Sequence, residues 1–511
     1  MKMKDVIALI ALMLVQYAVS GQNMVFDTKF EVNVQSTTAI TNNKQIVGYA
    51  FFFKVDKMKK SGLYKLVILD ENLKQIGSSE FEGGKDLVLT RAVYESDRLF
   101  MNFEDKDEYD GFKKFVKVFD LKGKQVGIVG YDPEKVKKGM FGAAAAAQME
   151  SMYDGIDNVE TKGLVRVYQS KAKSGGVDMQ FISTTGKLKW EKNFTGEGGD
   201  RIDMFLFGTT PNAIMMVQME RSGIASKKGE IFLVGLSPDN GRQIFKKSLT
   251  MKGFTYDPMF LKTTEDGKYQ MIASLLNESE KLMKAQPVGI SLCEIDDATG
   301  EIKVRKDFTY SGDLGKVLKM KSDTKSEEGY IKPHDLILMN DGGMVLVGEF
   351  FRKTVSAMGV ASAMLSRSAQ SVSQATIDDM FLMRIDNNLN PTSLETVEKD
   401  KDRFPLPGDF LSTGLVTRYL SSLKAFAYDY TDEGMNGSQK TVIANGSRPG
   451  AGYGVFAINL GEKSGFTIKD FKSLKEKNVR YYVTRAKPGY MMVTKYNSKE
   501  KSVSLSLEKT E

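Results

Sequence analysis

The chain has 511 residues, of which 41% are hydrophobic and 27% charged, so it is long enough to bury one large core or several smaller ones. Its formal charge of +7 is small for this length and is spread over the chain, which argues against a nucleic-acid-binding protein. The single cysteine, Cys293, and the single histidine, His334, exclude disulfide frameworks and zinc sites built from these residue types. Cys293 lies in a strand-like segment, where a buried, inert thiol is expected.

The first twenty residues have the pattern of a secretory signal peptide. Lys2 and Lys4 precede an apolar stretch at 6–15, and small residues follow at 18–20. This stretch is too short to span a bilayer, which needs roughly 20 apolar residues. We therefore expect residues 21–511 to form a soluble protein in the periplasm, on the outer surface or outside the cell, with no transmembrane segment. The lack of cysteine pairs in such a protein favours a bacterial origin.

An acidic segment at 104–111 is the candidate metal site. Asp105, Asp107 and Asp110 precede a glycine with nearly the spacing of a calcium-binding loop, in which oxygen ligands surround the ion. Tyr109 stands in the third ligand position, so a solvated acidic loop is the alternative. Calcium is the one cofactor that the sequence suggests.

One motif recurs along the chain: an alternating apolar strand, a turn rich in Asp, Asn and Gly, and a second strand. Most copies follow another short-turn hairpin, so each unit of roughly 50 to 65 residues contributes four strands. We predict eight of these hairpins, at residues 64–81, 115–129, 178–194, 230–249, 288–308, 380–397, 454–471 and 491–507.

Four strands per repeat are typical of a β-propeller, whose blades are four-stranded sheets. We predict an all-β fold with a single propeller of eight blades, or of seven if two short units merge. The last unit supplies three strands, at about 478–485, 490–496 and 502–508, and residues 25–34 form a strand ahead of the first blade. Pairing this strand with the last unit closes the ring and removes an exposed sheet edge. Two separate β-sandwiches are the alternative.

Two segments interrupt the repeats, at 139–152 and 351–375. The first is rich in Ala and the second in Ser, Ala and Met, which favours short helices or mobile loops. The second is either a partner-binding flap or an ordinary decorated loop.

An AspGlyGly turn at 341–343 leads into an aliphatic strand that ends at Gly348, and the segment 379–390 contains an AspAsnAsn turn. Together they resemble one blade of the secreted propeller repeats of Bacteroidota, many of which are uncharacterised. The segment 186–194 is similar to the end of such a repeat or of a quinoprotein repeat. The resemblance implies architecture and no catalytic residues. Quinoprotein dehydrogenases carry a tryptophan in most blades, whereas this chain has only Trp190, so we expect no bound quinone.

Motifs for catalysis are scarce in this sequence. There is no nucleophile elbow, P-loop or zinc-protease motif, and any Ser–His–Asp site would need His334. A structural or exposed imidazole is the alternative for His334. The segment Ser237 to Arg242 resembles one sialidase-type box but is not repeated, so we interpret it as a hairpin turn.

An aspartate precedes the apolar run of several predicted innermost strands. In a propeller these residues would form a partial ring at the channel mouth, with His334 beside it. Either each carboxylate caps a backbone turn, or the ring holds a cation or a cationic ligand group, because converging carboxylates repel one another. The members of this candidate ligand site are Asp86, Asp203, Asp257, Asp335 and Asp409.

Loop lengths indicate which face of the sheets is functional, because binding sites are usually built on elaborated loops. We expect a monomeric, non-catalytic recognition or scaffold module for a protein, peptide or glycan. A polysaccharide hydrolase or lyase with paired carboxylates is the alternative. Converging acids would favour the enzyme, and exposed aromatic residues a binder. The long segments all fall on one face: 56–62, 104–111, 132–163, 221–229, 277–287, 312–332, 351–378 and 429–453.

Overall fold

The computed structural model describes the chain in segments. These are residues 23–27, 37–42, 45–131, 155–170, 174–196, 200–222, 228–264, 267–282, 285–322, 325–339, 342–355, 373–398, 401–405, 424–429, 440–448, 452–460, 466–473, 478–487 and 490–509. The predicted signal peptide, the segment 139–152, most of 351–375 and Asp409 lie outside them. No helix in the described segments is long and apolar enough to cross a membrane.

The described segments are β-strands joined by turns, with one short 3₁₀-helix at Leu314–Lys316. The predicted all-β class is confirmed. The first strands are β1 Asn23–Asp27, β2 Thr37–Asn42, β3 Gln45–Lys57, β4 Gly62–Asp70, β5 Gln75–Gly83, β6 Val88–Glu95, β7 Arg98–Glu104, β8 Lys114–Asp120, β9 Gln125–Tyr131, β10 Gly155–Val159, β11 Gly163–Gln169, β12 Val177–Ser183, β13 Leu188–Phe194, β14 Arg201–Thr209, β15 Ile214–Arg221, β16 Glu230–Leu236, β17 Gln243–Ser248 and β18 Thr250–Met251. The others are β19 Phe254–Thr263, β20 Tyr269–Asn277, β21 Pro287–Ile295, β22 Ile302–Thr309, β23 Met320–Ser322, β24 Lys325–Ser326, β25 Tyr330–Leu338, β26 Met344–Val355, β27 Ser373–Ile385, β28 Pro391–Val397, β29 Asp402–Pro405, β30 Lys424–Asp429, β31 Lys440–Arg448, β32 Gly452–Leu460, β33 Phe466–Ser473, β34 Val479–Arg485, β35 Tyr490–Asn497 and β36 Ser502–Lys509.

The chain divides into two compact units. The first takes the described residues within 1–130 and 474–511, and the second those within 131–473. In the first unit, β2–β5 and β6–β9 each form a four-stranded antiparallel sheet, and β34–β36 form a third with β1. In the second unit the sheets are β10–β13, β14–β17, β18–β22, β25–β28 with β29 beside β27, the pair β23–β24, and β30–β33. All eight predicted hairpins are therefore present.

The turns of these hairpins are set by local chemistry. In the β8–β9 turn, Oδ1 of Asp120 accepts the backbone N–H groups of Lys122 and Lys124, each at 2.9 Å. Gly123 has φ of 87°, a left-handed conformation that glycine adopts without steric cost. Asp386 holds its own turn through the same kind of Asp-to-amide bonds. Because these bonds span only a few residues, the turns can be recognised in the sequence.

The strand β1 completes the last sheet of the first unit. It pairs antiparallel with β36, with Val25 opposite Ser504. Phe26 packs against Phe51 and Phe53, with ring centroids 5.1 and 5.6 Å apart. The prediction that a strand ahead of the first blade pairs with the last three strands is confirmed. The described part of this strand is Asn23–Asp27, and residues 28–34 of the predicted strand lie outside the described segments.

In the second unit, neighbouring sheets pack side by side through their first strands: β10 contacts β14, β14 contacts β19, and β19 contacts β25. This is the arrangement of propeller blades. Trp190 joins two of these sheets, because its indole Nε1 donates to the carbonyl of Pro238 at 2.8 Å. Pro238 lies in the turn Ser237 to Arg242, which is closed by Ser237 N–H bonding the carbonyl of Arg242. The interpretation of this segment as a hairpin turn is therefore confirmed.

Cys293 lies in the hydrophobic core between the β14–β17 and β18–β22 sheets and is fully buried. Burial raises the pKa of its thiol to about 11, against the opposing effect of a hydrogen bond with Ser291. At pH 8 this lowers the thiolate fraction by about a hundredfold. We expect Ellman's reagent at pH 8 to leave the folded protein unmodified and to label one thiol in urea. Rapid labelling of the folded protein would contradict the burial of this thiol.

Candidate binding cavity

A cavity of about 820 Å³ lies in the second unit, between the β14–β17 and β18–β22 sheets. Its walls come from the end of β15 and the start of β16, from the chain around β18, and from residues that follow β20. Two of the long segments predicted to form the functional face, 221–229 and 277–287, contribute to it. The volume falls within the range of about 300 to 1,000 Å³ that is usual for ligand pockets.

The floor of the cavity is apolar. Leu276, Leu282 and Ala285 line it, and all three are buried members of the core between the two sheets. Gly229 closes one side of the cavity. A Cβ atom on Gly229 would lie 2.9 Å from Cγ of Arg221 and 3.5 Å from Leu282, so a larger residue would crowd the wall. An apolar floor of this kind can receive an apolar side chain of a ligand.

A buried ion pair supports one wall. Oδ2 of Asp203 lies 2.5 Å from Nη2 of Arg221, and Oδ1 lies 3.0 Å from Nε of Arg201. The Asp203 side chain is only 2% exposed. Because one carboxylate is held between two guanidinium groups on β14 and β15, Arg221 is fixed where it lines the cavity.

Other polar side chains shape the rim. Glu280 accepts a hydrogen bond from Nδ2 of Asn277 at 3.1 Å and another from the backbone N–H of Gln286 at 3.4 Å. These bonds hold the chain that follows β20. On the other side, the hydroxyls of Thr250 and Thr255 are 3.1 Å apart. Hydroxyl groups of several serines and threonines therefore lie at the rim beside charged groups.

The aspartates predicted to form a ring have different surroundings in the structure. Asp86 is exposed in the turn before β6, in the first unit. In the second unit, Asp203 is neutralised by two arginines, and Asp257 is fully buried within β19. Asp335 is the sixth residue of β25 rather than its first, and it bonds Nζ of Lys262 at 2.8 Å. With Asp409 outside the described segments, a shared cation at this ring stays a prediction.

His334 lies next to Asp335 on β25. Its Nε2 is 2.7 Å from Oε2 of Glu349, a residue of β26 that is fully buried. This contact fixes the orientation of the imidazole ring. Sequence reasoning identified His334 but not Glu349, because the two residues meet only when β25 pairs with β26.

The acidic loop at 104–111 lies in the first unit, and protein groups bind its carboxylates. Asp105 is 1% exposed and accepts the backbone N–H groups of Gly84 and Asp107 at 3.0 Å. Asp107 accepts the N–H of Lys85 at 2.7 Å, and Asp110 forms an ion pair with Lys117 at 2.9 Å. In the described segments, no group of three His, Cys, Asp or Glu residues is arranged to hold a metal ion.

Sequence reasoning missed most residues of the cavity. Arg221 and Leu282 are separated by about sixty positions and carry no motif, so only the lengths of the two loops pointed to them. No signal in the sequence indicated the apolar floor, because its residues read as ordinary strand and loop positions.

No curated protein matches the chain. Among solved structures, it is similar to prolyl oligopeptidase B from Galerina marginata, at 9% identity and a TM-score of 0.35 over 86% of this chain and 53% of that enzyme, about half of its length. It is also similar to the WD40 domain of SCAP from fission yeast, at 8% identity and a TM-score of 0.38 over 95% and 98% of the two chains. An ulvan lyase of polysaccharide lyase family PL25 is similar at 8% identity, with a TM-score of 0.35 over 88% and 97%. Similarities this low assign no function.

The family comparison covers the whole chain. One family model matches residues 1–511, and that family is described as being of unknown function. A match of this extent shows membership. The chain therefore belongs to the DUF6770 family.

Proposed function

We propose that this protein is a non-catalytic recognition module that binds a peptide segment of a partner protein in the cavity between the β14–β17 and β18–β22 sheets. One observation carries the proposal: an apolar floor of Leu276, Leu282 and Ala285 is surrounded by a charged and hydroxyl-rich rim. The amino-terminal signal-peptide pattern supports a place for this module outside the cytoplasm.

The combination of floor and rim favours a peptide over a glycan. A peptide presents apolar side chains next to charged ones, and each kind finds a matching surface here. The residues lining the cavity in the described segments include no aromatic side chain. The exposed aromatic residues expected of a binder are therefore absent from the described lining of this cavity, whose apolar contact area comes from aliphatic groups.

One observation favours the second candidate, a hydrolase or lyase with paired carboxylates. Glu220 and Glu230 are directly opposite each other on β15 and β16, and both line the cavity. Glu220, however, is already bound by Lys246 and by Nε2 of Gln218. Within this opposed pair only Glu230 is available to a substrate, and paired-carboxylate catalysis needs two such groups, so we favour recognition.

The test uses the full-length mature chain and a peptide array. Ser279 is exposed and lines the cavity, so Ser279→Trp should fill the cavity and lower peptide binding at least about tenfold without changing the melting temperature. The matched control is Ala298→Trp, which lies in the exposed β21–β22 turn at the other end of the same sheet and should bind as the unmodified protein does.

A glycan array and a polysaccharide-cleavage assay run in parallel. Peptide binding that Ser279→Trp leaves intact would refute the cavity as the site. If the protein cleaves a polysaccharide and Glu230→Gln abolishes this cleavage, the function is catalysis and not recognition.

A further inference from the structure

Five carboxylate residues of the described segments line the cavity, and they differ in whether the protein already binds them. Glu220 and Glu280 are held by hydrogen bonds, as described above. The carboxylates of the other three make no hydrogen bond or ion pair with any residue of the described segments. These three are Asp200, Glu230 and Glu278, and all are exposed at the cavity.

The cationic side chains lining the cavity do not balance these acids. Among the described residues there are three, Arg221, Lys228 and Lys281, so the described part of the lining carries a formal charge of −2. Arg221 is also committed to Asp203. The whole chain, in contrast, has a formal charge of +7. The described lining of the cavity is therefore acidic, on a chain whose overall charge is positive.

Glu230 lies directly opposite Glu220 on the neighbouring strand. Directly opposed like charges on neighbouring antiparallel strands destabilise a sheet by up to about 1 kcal/mol. Lys246 neutralises Glu220, and Glu230 has no such cation among the described residues. Glu230 therefore presents an exposed carboxylate at the cavity that no cation of the described residues pairs.

We infer that the cavity selects peptide segments in which a Lys or Arg residue lies next to an apolar residue. This inference rests on the proposed function. The apolar side chain would contact Leu276 and Leu282, and the cationic group would be attracted by Glu230 and Glu278 at the rim. Both carboxylates are exposed to solvent, so salt screens the attraction, and the selectivity falls as the ionic strength rises.

The experiment measures binding of labelled octapeptide libraries in which one position is fixed as Lys, Gln or Glu and the others are random. For the unmodified protein at low salt, the Lys library should bind about fivefold more tightly than the Gln library, the factor expected for one exposed ion pair. The Glu library should bind more weakly than both. At 500 mM salt the three should converge.

Variants that remove or reverse the rim charges test the inference most directly. Glu230→Gln with Glu278→Gln should abolish the preference for Lys, and Glu230→Lys with Glu278→Lys should reverse it in favour of Glu. The matched control is Glu301→Lys with Glu395→Lys, which makes the same change of net charge at exposed positions in the β21–β22 turn and on β28. This control should keep the preference for Lys.

The outcomes separate the inference from the function on which it rests. Binding of all libraries without preference, or a preference for Glu in the unmodified protein, overturns the inference and leaves peptide recognition standing. Loss of the preference in the control variant also overturns it, because the effect would then come from net charge rather than from the rim. If no library binds at any salt concentration, the proposed function itself fails.

Discussion

Replacing Asp203 by alanine is expected to lower the free energy of unfolding by about 3 to 5 kcal/mol, since it leaves two guanidinium groups without their buried carboxylate. Arg221 and Arg201 both bind this carboxylate, and the Asp203 side chain is 2% exposed. Urea unfolding at pH 7 measures the change. Because Arg221 lines the cavity, peptide binding should weaken in the same variant.

The matched control is Asp239→Ala. Asp239 also faces two cations, Lys189 at 3.2 Å and Lys162 at 3.6 Å, but its side chain is 61% exposed. An exposed ion pair contributes less than about 1 kcal/mol, so this variant should be nearly as stable as the unmodified protein. Equal losses of unfolding free energy in the two variants would show that burial of the Asp203 ion pair does not determine its contribution to stability.

The second large effect is expected at Asp105, in the first unit. Its carboxylate accepts three backbone N–H groups, those of Gly84, Asp107 and Tyr109, at 3.0 to 3.2 Å. Alanine at this position removes the acceptor for all three, and we expect a loss of about 2 to 4 kcal/mol. Asparagine keeps one side-chain oxygen as an acceptor and should lose less. A melting temperature unchanged in Asp105→Ala would refute this role.

The same loop allows a direct test of calcium. The carboxylates of Asp105 and Asp107 already accept backbone N–H groups, and Asp110 is paired with Lys117. We therefore expect neither calcium nor a chelator to change the melting temperature through this loop. Binding of calcium at 100 times its dissociation constant would stabilise the fold by roughly 2.7 kcal/mol, a shift that calorimetry detects easily.

Strand order could be predicted from the sequence because the turns depend on local chemistry. An Asp or Ser at the first position of a turn accepts backbone N–H groups two or four residues later, and such bonds span only a few residues. The pairing of β1 with β36 also followed from the sequence, since a last unit of three strands needs a fourth.

The candidate site depended on tertiary structure. The loop lengths at 221–229 and 277–287 indicated a functional face, but not that two neighbouring sheets would enclose an apolar-floored cavity there. The aligned aspartates of the sequence include Asp203 and Asp335. The structure pairs Asp203 with Arg221, on the neighbouring strand, and Asp335 with Lys262, which lies on another sheet.

The sequence by itself therefore determined the all-β class, the eight hairpins and the strand that completes the last sheet. These depend on interactions over a few residues and on the alternation of side chains along a strand. Only the tertiary structure decided which charges are neutralised, such as Asp203 by Arg201 and Arg221, and which stay exposed without an ion pair among the described residues, such as Glu230 and Glu278. The reason is that the partner of a charge is set by packing between strands and sheets, and no local pattern records which side chains that packing brings within bonding distance.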